Sequence, residues 1–171
     1  RELAATALGN AVNSNAIPVL VEALDSDEHM PVRIAAAQSI GTLRDTRLTP
    51  ILVRALRRKP ARKLRLELLR SLRGFCDVST SWVFLSHLQL PDIEIQRIAL
   101  GSFLYLPCPE GDVVARDFLR HEEPTLRVLA LRILERCGLK KDAVRVRLLL
   151  KDPEPRVRRI AANTLEQLTQ S

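Results

Sequence analysis

Along the whole chain, apolar residues recur at the spacing of one face of an α-helix, and the stripe returns about every 31 residues. With Arg1, Arg33, Arg65, Gln96, Arg127 and Arg158 taken as anchors, the intervals are 32, 32, 31, 31 and 31 residues. A branched apolar residue precedes each of the last five: Val32, Leu64, Ile95, Leu126 and Val157. Three and four residues beyond the anchors stand small or apolar pairs, from Ala4-Ala5 and Ala36-Ala37 to Ala161-Ala162. Seven beyond stand Leu8, Ile40, Leu72, Phe103, Leu134 and Leu165. Offsets of −1, +3, +4 and +7 make one stripe of a helix with 3.6 residues per turn. Each anchor therefore marks an amphipathic helix, helix B of its repeat.

A second apolar element, helix A, precedes five of these and ends at Leu24, Leu56, Leu88, Leu119 and Leu150. Pro18 and Pro50 stand near its start, where a missing N–H is tolerated. Pro31, Pro60, Pro91, Pro124 and Pro155 mark the turns between A and B. The pattern predicts one lone B helix followed by five A–B hairpins, and no strand. A hairpin of this size cannot bury its apolar face alone, so neighbours must stack. The expected fold is an all-α, right-handed α-solenoid of about five and a half repeats. It spans 1–171 as one domain, read as a fragment of a longer chain because it opens inside a helix without an initiator Met.

The strings PVRIAAAQSIGTLRD and PRVRRIAANTLEQL resemble HEAT repeats, closest to the short, phycobilisome-lyase-like class of about 31 residues. The resemblance covers all five hairpins and is weakest at the third, where Gln96 replaces the anchor arginine. It implies an α-solenoid that binds partners, without implying one activity. A di-iron hydroxylase of this family carries His-Glu pairs directly after the anchor. The matching positions here are Ile34-Ala35, Leu66-Glu67, Arg97-Ile98, Val128-Leu129 and Arg159-Ile160, and none is such a pair. Bilin lyases share the repeat style, but no chromophore-site motif carries over. HEAT-like DNA glycosylases use aromatic and acidic residues at the lesion, whereas Trp82 is the one tryptophan here and sits in the proline column of helix A, where a packing role is expected.

Composition adds little to the fold and more to the function. Of 171 residues 46% are hydrophobic and 27% charged, as in globular chains. No apolar stretch approaches the ~18–20 residues of a membrane span, so no membrane insertion is expected. Three cysteines (Cys76, Cys108, Cys137) without a CxxC pair suggest neither a disulfide framework nor a zinc site. Near the ends of B helices, they read as small buried packing residues in a reducing, cytoplasmic setting. His29, His87 and His121-Glu122 fall in unmatched columns, so no metal site is expected. No nucleophile has a base and orienter beside it, and no phosphate-cradling glycine loop is present. Neither cofactor nor small-molecule substrate is indicated, and a non-catalytic interaction module is the expectation.

The net charge of +7 is local. Residues 54–73 hold nine cations and one acid, a balance of +8, while the rest of the chain sums to −1. Four other A–B turns place acids where helix B begins, complementing the positive helix end; the second hairpin places Arg62 and Lys63 there instead. Arg57, Arg58, Lys59, Arg62 and Lys63 are thus a candidate anion- or partner-binding edge. The arginine fork suits carboxylate and phosphate alike. The partner expected is another protein or an acidic protein segment, with nucleic acid the less favoured alternative. A second candidate surface is a row on the B face: Arg70, Arg73, Tyr105, Arg132 and Arg136. In HEAT repeats the anchor arginine commonly bonds an aspartate of the A–B turn, which implies a structural ladder from Arg33, Arg65, Arg127 and Arg158 with Asp27 and Asp152.

Overall fold

The computed structural model describes residues 16–106 and 110–170, which form ten α-helices in antiparallel pairs and no strand. They are α1 Ile17–Ser26, α2 Met30–Thr42, α3 Thr49–Arg57, α4 Arg62–Phe75, α5 Ser81–Leu88, α6 Ile93–Ser102, α7 Gly111–Phe118, α8 Pro124–Cys137, α9 Ala143–Leu148 and α10 Pro155–Gln170. Odd-numbered helices are the A helices and even-numbered ones the B helices. All five hairpins stand where the repeat places them, and the fold is an all-α solenoid. The lone B helix expected around Arg1, Ala4 and Leu8 lies outside the described residues.

Local chemistry explains the boundaries. Pro18 and Pro50 occupy the first turns of α1 and α3. Short 3₁₀ turns lead into α3, α5 and α9. The Asp45 and Asp77 carboxylates initiate two of these by accepting the N–H groups of Arg47 and Ser79. Beyond α2, α3 and α4 the chain escapes through left-handed residues that are not glycine: Arg44 (φ 50°), Lys59 (φ 51°) and Cys76 (φ 52°).

The repeating stripe forms the core. Val32, Leu64, Ile95, Leu126 and Val157 are buried, as are Ile40, Leu72, Phe103 and Leu134. In α10 the stripe is incomplete: Ala161 is buried, Ala162 is exposed and Leu165 is half-buried.

The chain divides into two compact units, 1–83 and 84–171, with the boundary inside α5. In the first, α2 packs on α1 and α4. At Gly41 this packing is so close that a methyl group would lie 2.6 Å from Ser71 Oγ. Ser71 Oγ donates to the Ala37 carbonyl of the facing helix at 2.9 Å. In the second unit, α8 packs on α6, α7 and α10, and α9 packs on α10.

Candidate interaction surfaces

The basic edge gathers around the turn from α3 to α4. Arg57, Arg58, Lys59, Arg62 and Lys63 are all exposed. Two features fix part of it. Arg54 and Arg58 reach Asp25 of α1 at 2.8 and 3.2 Å, and the Arg57 guanidinium lies 5.4 Å from the centre of the Trp82 ring. Trp82 is 46% exposed rather than packed, and its ring is a platform for an arginine. Behind the edge, α4 starts at Ala61 with no side-chain cap. By contrast Asp92 caps α6 and Glu123 caps α8. Arg62 and Lys63 thus add positive charge to a helix end that is already positive.

The row on the B face divides between the two units. Arg70 is exposed and bonds Glu67 at 3.4 Å, lining a shallow groove with Gln38, Thr42 and Arg44. Arg73 is half-buried and Arg132 exposed. Two members do not serve as expected. Tyr105 stands in the turn beyond α6, because that helix ends at Ser102. Arg136 spends Nη1 on three carbonyls of the same turn, Phe103 (3.1 Å), Leu104 (2.9 Å) and Leu106 (2.8 Å). It fastens a chain reversal instead of offering a free cation. Gly101, in the same column as Arg70 and Arg132, is buried.

The arginine ladder holds at one clear rung. Arg127 clamps Asp152 of the next hairpin with Nε at 2.8 Å and Nη2 at 2.7 Å. Burial of the Asp152 carboxyl opposes ionisation, but bonds from Arg127 and the Glu154 N–H outweigh it and hold its pKa below the ordinary value. The other anchors bond main-chain oxygens of their own hairpin: Arg33 to Leu24, Arg65 to Pro60, Gln96 to Leu88, Arg158 to Asp152 and Pro153. The partner column six residues before the anchors explains this, for it reads Asp27, Lys59, Leu90, His121, Asp152. Arg33, Arg65 and Gln96 have no acid opposite in the following repeat. Asp27 is buried and accepts the His29 N–H.

Sequence reasoning missed one ionic network. Asp142 is fully buried just ahead of α9. It accepts Arg116 Nε at 2.6 Å, Arg116 Nη2 at 3.0 Å and the Leu139 N–H at 2.9 Å. Arg116 Nη2 also bonds Asp112. Burial works against the Asp142 charge, yet these bonds, with Arg116 and Arg145 nearby, keep its pKa low. Arg116 and Asp142 are 26 positions apart and belong to no recurring column, so the one-dimensional repeat carries no trace of them.

No cluster of three or more His, Cys, Asp or Glu side chains among the described residues has metal-binding geometry. The His121 ring accepts the Glu123 N–H at 3.0 Å and stacks on Phe118, so it shapes its own turn. The cysteines depart from expectation: Cys76 is exposed and free, and Cys137 is half-buried and disulfide-bonded. Neither is a buried packing residue, and the expectation of no disulfide fails at Cys137. Cys108 lies outside the described residues. No described helix is long and apolar enough to cross a membrane.

Comparison with known proteins agrees with this architecture. Residues 1–73 match the family model of HEAT repeats, and residues 146–171 match that of the HEAT repeat. No curated protein matches the chain in sequence. Among solved structures, a chain of the CpcE–CpcF complex of phycocyanin lyase from Nostoc sp. PCC7120 is similar, with a TM-score of 0.54 and 23% identity over 98% of this chain and 73% of that one. An engineered protein is similar with a TM-score of 0.65 and 17% identity, over 99% of this chain and 90% of that one. At these identities the likeness is one of fold.

Proposed function

We propose that this chain, a member of the HEAT-repeat family, is a non-catalytic interaction module that recognises an acidic segment of another protein through the basic edge of its second hairpin. The supporting observation is that edge itself: five exposed cations around an uncapped helix start, with Arg57 laid on Trp82 and Arg58 tied to Asp25. Side chains held this way lose less freedom on binding a carboxylate than free ones would. HEAT repeats are in general partner-binding repeats, which favours a protein as the ligand.

A second reading takes the same cations as a phosphate-binding edge for nucleic acid. It has the charge in its favour but lacks aromatic stacking, because the ring of Trp82 is engaged by Arg57. An enzyme subunit akin to the phycocyanin lyase complex is the weakest reading, since only a shared fold supports it.

Salt titration separates the first two. We expect a peptide of mixed Glu and Ser, without apolar residues, to bind more tightly than a DNA duplex of equal charge at physiological salt. Reversing Arg57, Arg58, Lys59 and Lys63 to Glu should abolish binding without loss of helicity. Unchanged peptide binding by that variant would sink the reading. Tighter duplex binding, with log K falling by several units per decade of salt, would install the nucleic-acid alternative.

A further inference from the structure

The outer face of the second unit carries an apolar feature that neither the repeat stripe nor the basic edge explains. Helix α9 sends Ala143 and Val146 into the core and leaves Val144 (68% exposed) and Leu148 (63%) in solvent, one turn apart on the same side. Val113 on α7 is 54% exposed. Val113 and Leu148 line a groove along α7 and α9, with the buried Leu119 and Leu149 also in its lining. Single exposed apolar residues are ordinary, but two that line one groove together with buried leucines mark a contact site.

The charges around the groove indicate what enters it. Arg116, Arg120 and Arg145 line it with one acid, Asp117. Arg116 is neutralised by Asp112 and Asp142. Arg145 comes only within 3.8 Å of Asp142, whose oxygens are already held by Arg116. Arg120 is exposed and forms no ion pair among the described residues. Lys141, Arg147 and Lys151 are exposed on the flanks of α9. Apolar side chains within a cationic frame complement a surface of apolar residues flanked by carboxylates.

From this we infer a docking site between α7 and α9 for an acidic amphipathic helix of a partner protein, independent of the basic edge. A helix supplies apolar residues three or four positions apart along one side, a row that can follow the groove lined by Val113, Leu119, Leu148 and Leu149. The all-α fold presents no strand edge for an extended peptide to join. The recess between two helices suits inserted side chains better than a flat bilayer.

The test uses the full chain and a fluorescent 16-residue peptide with Leu at helical i, i+3, i+4 and i+7 spacing and Glu elsewhere. A scrambled peptide of the same composition and vesicles rich in phosphatidylserine serve as comparisons. Anisotropy should report saturable binding of the patterned peptide. Leu148→Glu should weaken it about tenfold or more, the loss expected of a central apolar anchor, and Arg145→Glu should weaken it too. Lys63→Glu, in the other unit, should leave the preference for the patterned over the scrambled peptide unchanged. Circular dichroism of each variant separates lost binding from lost fold, and because Leu148 is exposed the fold should persist. Equal binding of the scrambled peptide, persistence after Leu148→Glu, or no saturable binding would overturn the inference. So would Leu148-dependent capture by the vesicles without peptide binding.

Discussion

Replacing Asp142 with alanine should destabilise the second unit by about 3 kcal/mol. The side chain is fully buried, and its two oxygens accept three N–H donors. Deleting the carboxylate leaves the Leu139 N–H orphaned in the interior, worth about 1–3 kcal/mol. It also leaves Arg116, whose side chain is 17% exposed, without its main counter-charge. Breaking a buried pair from one side costs about 3–5 kcal/mol. Asp112 still holds Arg116 Nη2, which places the sum toward the low end. Urea unfolding followed by circular dichroism measures the loss. The paired variant sharpens the test: Arg116→Met with Asp142→Leu removes both charges and should cost less than Asp142→Ala alone, because neither ion is stranded. A loss under about 1 kcal/mol for the single variant, or a double variant worse than the single, would refute this account of the network.

Three further outcomes follow from other sites. Gln96 buries its Oε1 with no partner among the described residues while its Nε2 bonds Leu88; Gln96→Arg keeps the donor, removes the stranded acceptor and should raise stability by about 1 kcal/mol in thermal unfolding. Lys59 holds φ 51°, so Lys59→Gly should stabilise the fold by up to about 1 kcal/mol while weakening acidic-peptide binding, a split that calorimetry and anisotropy resolve together. Asp77, Asp142 and Asp152 all have pKa values held below the usual carboxylate range. Their contribution is complete above the unfolded value near 4 and is lost as pH falls through the folded values, so stability should stay level from pH 7 to about 5 and drop below about 4. An acid titration of the melting temperature checks this.

The hairpins were legible because stacking imposes the same burial on every repeat, and that burial recurs as a period in the sequence. The left-handed exits at Arg44, Lys59 and Cys76 escaped notice, since no glycine marks them. The candidate edge was legible as charge, because Arg62 and Lys63 break the acid rule of the other turns. Its scaffolding was not: Arg57 meets Trp82 and Arg58 meets Asp25 only through packing between repeats. The single Arg127–Asp152 rung was readable in principle, for Lys59, Leu90 and His121 occupy three other positions of the partner column. Arg136 could not be recognised as a turn clamp, because its three acceptors are carbonyls, which have no residue signature.

The anchor side chains turn back upon carbonyls of their own hairpins, Arg33 on Leu24, Gln96 on Leu88, Arg158 on Asp152 and Pro153. Each repeat therefore carries its own latch. Duplicating or deleting such a hairpin leaves these anchor bonds intact; charges do span two hairpins at Asp25 with Arg54 and Arg58 in the first unit, and at Arg116–Asp142 and Arg127–Asp152 in the second. Gene duplication thus has a latched unit to copy, but the first two hairpins and the last two share ion pairs and are most economically inherited as pairs.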